Sequence, residues 1–186
     1  MNRQIRKYND EYITDISGKA KDGVIYIGDW YVFENDAKTV LRAKLLATVF
    51  SLLSAVLFVA AGFLDAEASY TAYVFMPYII TFLPIVFSVA DGFKLLSFGE
   101  RLTHKQYDNT VVNLRHTSLA TAILSGLSLI GNAVMYISGL GFDKILFRHL
   151  TQDIIFTICI LAILILNILV YFVQKKLACK TVKNEK

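Results

Sequence analysis

Four apolar blocks, at roughly 43–64, 72–96, 118–141 and 153–173, leave this chain few folds to choose from. Each is close to the ~20 residues that cross a bilayer core as a helix. Backbone inside lipid must satisfy its own hydrogen bonds, and a helix does so within one segment. The chain is 55% hydrophobic and 18% charged, where an ordinary soluble domain carries ~45–50% and ~25%. The expected fold is an all-α integral membrane protein, a four-helix transmembrane bundle. It divides into a cytoplasmic N-terminal segment (1–42), the transmembrane domain (43–174) and a basic cytoplasmic tail (175–186).

The cations set the expected orientation. Eight Lys and Arg precede or open the first block, four close the second block or lie between it and the third, and five follow the fourth; the other two lie between the third and fourth. With both termini inside, seventeen of nineteen cations face the cytoplasm, as the positive-inside rule requires. The sequence therefore predicts a multi-pass protein of the plasma membrane, N-in and C-in. The basic balance follows from this topology and from attraction to anionic headgroups. No recognition motif or single basic stripe points to nucleic acid.

The N-terminal segment carries two local signals. Ile5, Tyr8, Tyr12 and Ile16 recur at helical spacing, which predicts an amphipathic helix over 2–17. In "GVIYIGDWYVF" (23–33), two β-rich runs flank Gly28-Asp29, which predicts a hairpin. An isolated hairpin is marginal in water, so this one needs a surface: the bilayer, the second cytoplasmic loop or another protein. Trp30 and Tyr31 suit a headgroup-level anchor, or alternatively a docking edge for a partner strand.

Asn35 or Asp36 is placed to cap the first long helix, along which Thr48, Ser51, Ala55, Val59 and Gly62 form a small-residue stripe. In the loop before the third block, Thr103 and Gln106 have the spacing of a capping box, and Asp108 or Asn109 is placed to cap the helix beyond. In the third block Ser118, Ala122 and Gly126 lie at i, i+4 and i+8, with Gly131 and Gly139 following. Small residues let helix backbones approach closely in lipid. The fourth block is aliphatic nearly all round, with Asn167 expected to turn toward a neighbouring helix.

The second block, "MPYIITFLPIVFSVADGFK" (76–94), holds both prolines of the chain and an aspartate. Pro77, Pro84 and Asp91 stand seven residues apart, which returns a helix to nearly the same face. Thr81 and Ser88 fall on that face too. Each proline frees a carbonyl one turn earlier, near Tyr73 and Ile80, and Thr81, Ser88 and neighbouring helices are the available donors. The stripe is expected to face inward, with Phe75, Ile79, Phe82 and Phe93 outward. Asp91 is then either an interfacial pair with Lys94 at i+3 or a working carboxylate in a polar crevice.

Catalytic and cofactor signatures are missing: HExxH, GxSxG, Walker A and GxGxxG do not occur. His104, His116 and Asp108 share one loop without a specific metal spacing. Cys159 and Cys179 form no CxxC and read as ordinary reduced thiols. No cofactor, metal site or catalytic residue is expected. The reading is a non-enzymatic accessory, assembly or regulatory component that acts through its cytoplasmic segments, with the bilayer and a protein partner or second copy as its contacts. The alternatives are a small oligomeric transporter or channel using the Asp91 stripe, then an intramembrane enzyme.

Overall fold

The computed structural model describes residues 8, 11–14, 24–137, 146–177 and 179–183. Most of the chain is helical. The long elements are Ala37–Gly62 (α1), Ala72–Ile80 (α2), Phe82–Ser97 (α3), Asn113–Ile137 (α5) and Leu146–Lys176 (α6). A short helix, His104–Tyr107 (α4), runs through a π-helical turn at 108–112 directly into α5. Four continuous helices, Ala37–Gly62, Ala72–Ser97, His104–Ile137 and Thr151–Lys176, are long and apolar enough to cross a membrane.

On all four, the buried positions alternate steps of four and three. On α1 they include Val40, Lys44, Ala47, Ser51 and Ser54. Val74, Tyr78, Thr81, Ile85 and Ser88 follow on α2 and α3, then Ser118, Thr121, Ser125, Ser128 and Asn132 on α5. On α6 they are Asp153, Phe156, Ile160, Ile163 and Asn167. This 3.5-residue repeat keeps one seam of each helix turned to its neighbours. Around the bundle, α1 packs on α3 and α6, and α5 packs on α2, α3 and α6.

Small hydroxyl residues recur on the seams among apolar ones, and large apolar side chains cover the outside. Leu52, Val56, Phe87, Ile123, Ile130 and Ile158 point outward and are exposed, while Ser51, Ser54, Thr81, Ser88, Ser118, Ser125 and Ser128 are buried. A water-soluble bundle instead turns charged and polar residues outward. Buried hydroxyls cost little here because they bond back to their own helix. Ser51 donates to the Ala47 carbonyl at 2.9 Å, Ser54 to Phe50 at 2.9 Å and Ser118 to Leu114 at 2.7 Å. Asn167 does turn inward, its amide donating to Ser54 Oγ at 3.1 Å.

The strands correct two expectations. Tyr12–Thr14 is a strand (β1), paired antiparallel with Val24–Tyr26 (β2). The helix expected over 2–17 therefore fails at 12–14, and most of its other positions lie outside the described residues. Trp30–Phe33 (β3) does not fold back on β2. It is the centre of a second sheet, between Arg101–Thr103 (β4) and Cys179–Val182 (β5), both antiparallel. A tight two-residue hairpin turn needs left-handed backbone, and Gly28 does not adopt it. Gly28 instead lies against the Tyr26 phenol, whose hydroxyl an added Cβ would meet at 2.6 Å. Pairing on both edges also lets Tyr31 and Phe33 pack with Leu102 and Leu177 on the end of the bundle.

Other boundaries moved. Asp36 is the N-cap of α1 but makes no side-chain cap bond. The capping box at Thr103 and Gln106 is fully formed, with both reciprocal bonds. Asp108 and Asn109 sit in the π-helical turn rather than capping a new helix, because the helix has already begun at His104. Along α1, Thr48 and Ser51 are buried but Val59 and Gly62 are exposed. After Ser51 the seam steps by three to Ser54 and continues to Ala61, whereas the stripe steps by four to Ala55, which leaves its remaining positions one residue off the buried face. Gly139 lies outside the described residues.

Candidate functional site: the Asp91 cleft

The prolines shape the helix that carries Asp91. The second long helix is interrupted at Thr81, one turn before Pro84. Thr81 stays helical, and its N–H is shared between the Pro77 and Tyr78 carbonyls. The Thr81 hydroxyl donates to the Pro77 carbonyl at 2.7 Å, so it does not serve the carbonyls of Tyr73 or Ile80. Ser128 of α5 donates across to the Val74 carbonyl at 3.0 Å. The face is inward: Thr81, Ser88 and Asp91 are buried and Pro77 and Pro84 half-buried, while Phe75, Ile79, Phe82 and Phe93 are exposed.

Asp91 is 1% exposed. Its Oδ1 accepts from Lys94 Nζ at 2.8 Å, and its Oδ2 accepts from the Asn113 side-chain amide on α5. One turn away, Ser88 donates to Thr117 Oγ1 at 2.8 Å, and Thr117 bonds back to the Asn113 carbonyl at 3.0 Å. A ladder of polar contacts thus ties α3 to the start of α5. Asp91 also lines a cleft of about 680 Å³, together with Lys94, Lys105, Gln106, Asn109 and Asn113. Tyr12 of β1 closes one side. One carboxylate, two ammonium groups and several amides suit a small polar or zwitterionic guest. No group of three or more metal-ligating His, Cys, Asp or Glu occurs among the described residues.

The cleft lies next to the sheet. Tyr31 of β3 stacks on Tyr107 with ring centroids 4.4 Å apart. It also lies beside His104, whose Nδ1 is 2.6 Å from Glu11 Oε1. Trp30 meets the Tyr26 ring edge-on at 5.0 Å. With both edges of β3 paired, neither Trp30 nor Tyr31 sits on an open strand edge. His104 is 3.8 Å from Asp108, whereas His116 is exposed and lines an adjoining groove that shares Lys105, Asn109 and Asn113 with the cleft. Cys179 and Cys159 are free. Burial pushes the Cys179 thiol up to about 11, against the opposing pull of Lys44.

Ser118 and Ala122 are buried on α5, but Gly126 is only half-buried. An added Cβ there would lie 3.4 Å from Leu164 Cδ1, an ordinary contact. The close approach is at Gly131, where a Cβ would meet the Tyr73 carbonyl oxygen at 2.8 Å. That carbonyl is the one Pro77 frees.

Two buried charges were not singled out in the sequence. Lys44, 4% exposed, donates to the Phe98 and Gly99 carbonyls at 2.9 and 3.0 Å. A cation there satisfies the C-terminal end of α3 where the chain leaves for β4. Its ammonium also lies over the Phe33 ring. Asp153, fully buried near the opposite end, accepts from the Ala68 N–H at 3.2 Å and hydrogen-bonds Tyr136. Its Oδ2 and Asn132 Oδ1 have no partner. Both charges fall on the four-three repeat of their helices, and that periodicity is the signal that finds them.

Comparison with protein-family models, curated proteins and solved structures returns no match. Fold and cleft together define a class: a four-helix bundle with hydroxyl-bearing seams and an apolar exterior, closed at one end by a three-stranded sheet, with a buried carboxylate beneath.

Proposed function

We propose that the chain is a multi-pass protein of the plasma membrane with both termini in the cytoplasm. Four long apolar helices with small residues on their seams support the membrane location, and the seventeen-to-two cation asymmetry supports the orientation. Within that setting its role is that of a non-enzymatic accessory, assembly or regulatory component, and the working part is the sheet end. The observation that carries this reading is the sheet itself. Residues 30–33, 101–103 and 179–182 come from the N-terminal segment, the middle loop and the tail, and they meet in one hydrogen-bonded unit. Three segments that could have remained separate linkers instead make one platform, as expected of a surface that works through protein contacts.

Affinity purification of the full chain from native membranes tests this. The wild type should carry a stoichiometric partner. Tyr31→Ala, which removes the stack on Tyr107, should lose that partner while the bundle still extracts as a folded species. A wild-type chain that purifies alone, or a partner kept equally by Tyr31→Ala, would sink the platform reading.

A second reading, a small oligomeric transporter or channel, is favoured by one observation: the cleft reaches a carboxylate that is otherwise buried. Charged groups inside membrane helices commonly mark ion or substrate paths.

A further inference from the structure

We propose that the groove between α1 and α6 at the sheet end binds an anionic phospholipid, with its phosphate held between Arg42 and Lys176. The inference rests on the membrane reading above. The groove has a volume of about 340 Å³, and its walls include Asn35, Thr39, Arg42, Leu46, Val173 and Lys176. Two cations from two different helices therefore flank one hollow with an apolar floor. Neither makes an ion pair with a described residue. Lys94, by contrast, has its charge partnered by Asp91.

The level of the groove fits a headgroup. Outward residues Leu41, Leu45 and Leu46 on α1, and Leu169 and Phe172 on α6, are all exposed. They begin the apolar exterior, and Arg42, Lys175 and Lys176 stand at its edge. A phosphodiester seated between Arg42 and Lys176 leaves the acyl chains free to run down that exterior over Leu46 and Val173. Arg42 offers a planar fork of donors matched to phosphate oxygens, while Asn35 and Thr39 offer uncharged donors to the remainder of the headgroup. The groove also opens beside the N-terminus of α1, whose first turn contains no acidic side chain. Free N–H groups there favour an anion. Glu34 and Asp36 lie nearby in sequence but do not line the groove. Basic hollows between helices at a cytoplasmic membrane face hold anionic headgroups by this combination of charge and apolar contact.

The test is native mass spectrometry of the purified full chain in detergent. It is titrated in parallel with dioleoylphosphatidylglycerol and with dioleoylphosphatidylcholine. The expected result is preferential retention of phosphatidylglycerol. Arg42→Ala with Lys176→Ala should lower that retention about tenfold, toward the phosphatidylcholine level. Lys180→Ala with Lys183→Ala, which removes the same charge from β5 and the tail, should leave it unchanged. Since Arg42 and Lys176 are exposed and make no ion pair among the described residues, the double variant should keep the wild-type unfolding temperature. Equal retention of the two lipids by the wild type, or retention unaltered in the Arg42/Lys176 variant, overturns the proposal. So does displacement of the lipid by an equal concentration of glycerol phosphate, which would make the groove a site for soluble anions. Alkaline carbonate extraction of native membranes separates the two levels of the argument. Release of the chain removes the membrane reading and this proposal together; retention combined with equal lipid binding removes the proposal alone.

Discussion

Asp91 and Lys94 form an ion pair with unequal ends. The carboxylate is buried at 1% side-chain exposure, and the ammonium is 55% exposed. The two truncations should therefore differ. Lys94→Ala removes an exposed partner and leaves Asn113 in place, so it should cost less than about 1 kcal/mol. Asp91→Ala strips the Asn113 amide of its acceptor inside the cleft and should cost about 1–3 kcal/mol. Thermal unfolding in detergent checks the order, and equal losses would show that the pair acts only as a surface contact. Asp91→Asn keeps the shape, so it should unfold near the wild-type temperature. In the transporter reading it should also abolish an ion or solute flux that wild-type proteoliposomes support. If wild-type proteoliposomes show no flux, the transporter reading should be dropped.

At the level of elements, the contacts that set the helix spacing are small buried residues on or beside the 3.5-residue seam. Gly92 and Thr48 bring α3 onto α1: Thr48 donates to the Gly92 carbonyl at 3.0 Å, and a Cβ at Gly92 would stand 3.3 Å from Thr48 Cα. Gly131 does the same for α5 and α2. Gly131→Ala must push backbone away from backbone, so it should destabilise the bundle by about 1–3 kcal/mol. Gly126→Ala meets only a flexible leucine end. It should be neutral, or stabilising by up to about 1 kcal/mol through better helix propensity. Unfolding temperatures of the two variants side by side measure the difference, and a more costly Gly126→Ala would contradict the seam geometry.

For the whole molecule, the two ends of the bundle differ. At one end the sheet covers a cluster containing Phe33, Leu95, Leu102 and Leu114. At the other, the turn at 67–70 packs near Val74, Met135 and Phe156. The orientation reading assigns the sheet end to the cytoplasm. On a cysteine-free background, Tyr70→Cys (Tyr70 is 79% exposed) should react with an impermeant thiol reagent added to intact cells. Glu100→Cys, beside β4, should react only after the membrane is opened. The reverse pattern would invert the topology and take the platform reading with it.

What the sequence determined by itself was local. Four apolar runs defined four long helices because length and hydropathy belong to each segment alone. Thr103 and Gln106 defined a cap because both partners of a capping box lie within one turn. The inward face of the second helix was legible because costly groups recur on it every seven residues, and Asn167 because a single amide in an aliphatic helix must find a partner. Tertiary structure decided what depends on residues far apart in the chain. The partners of Trp30–Phe33 lie in a loop about 70 positions on and in the tail, so a plausible local turn at Gly28-Asp29 lost to pairing on both edges. Lys44 reads as the last cation before a membrane helix until Phe98 and Gly99, 54 and 55 positions later, bring their carbonyls to it. Asp153 is drawn inward by the backbone of Ala68, 85 positions earlier. Gly126 and Gly131 are indistinguishable along one helix. Only the position of Tyr73 on another separates them, because the distance between two helix backbones is a property of the pair.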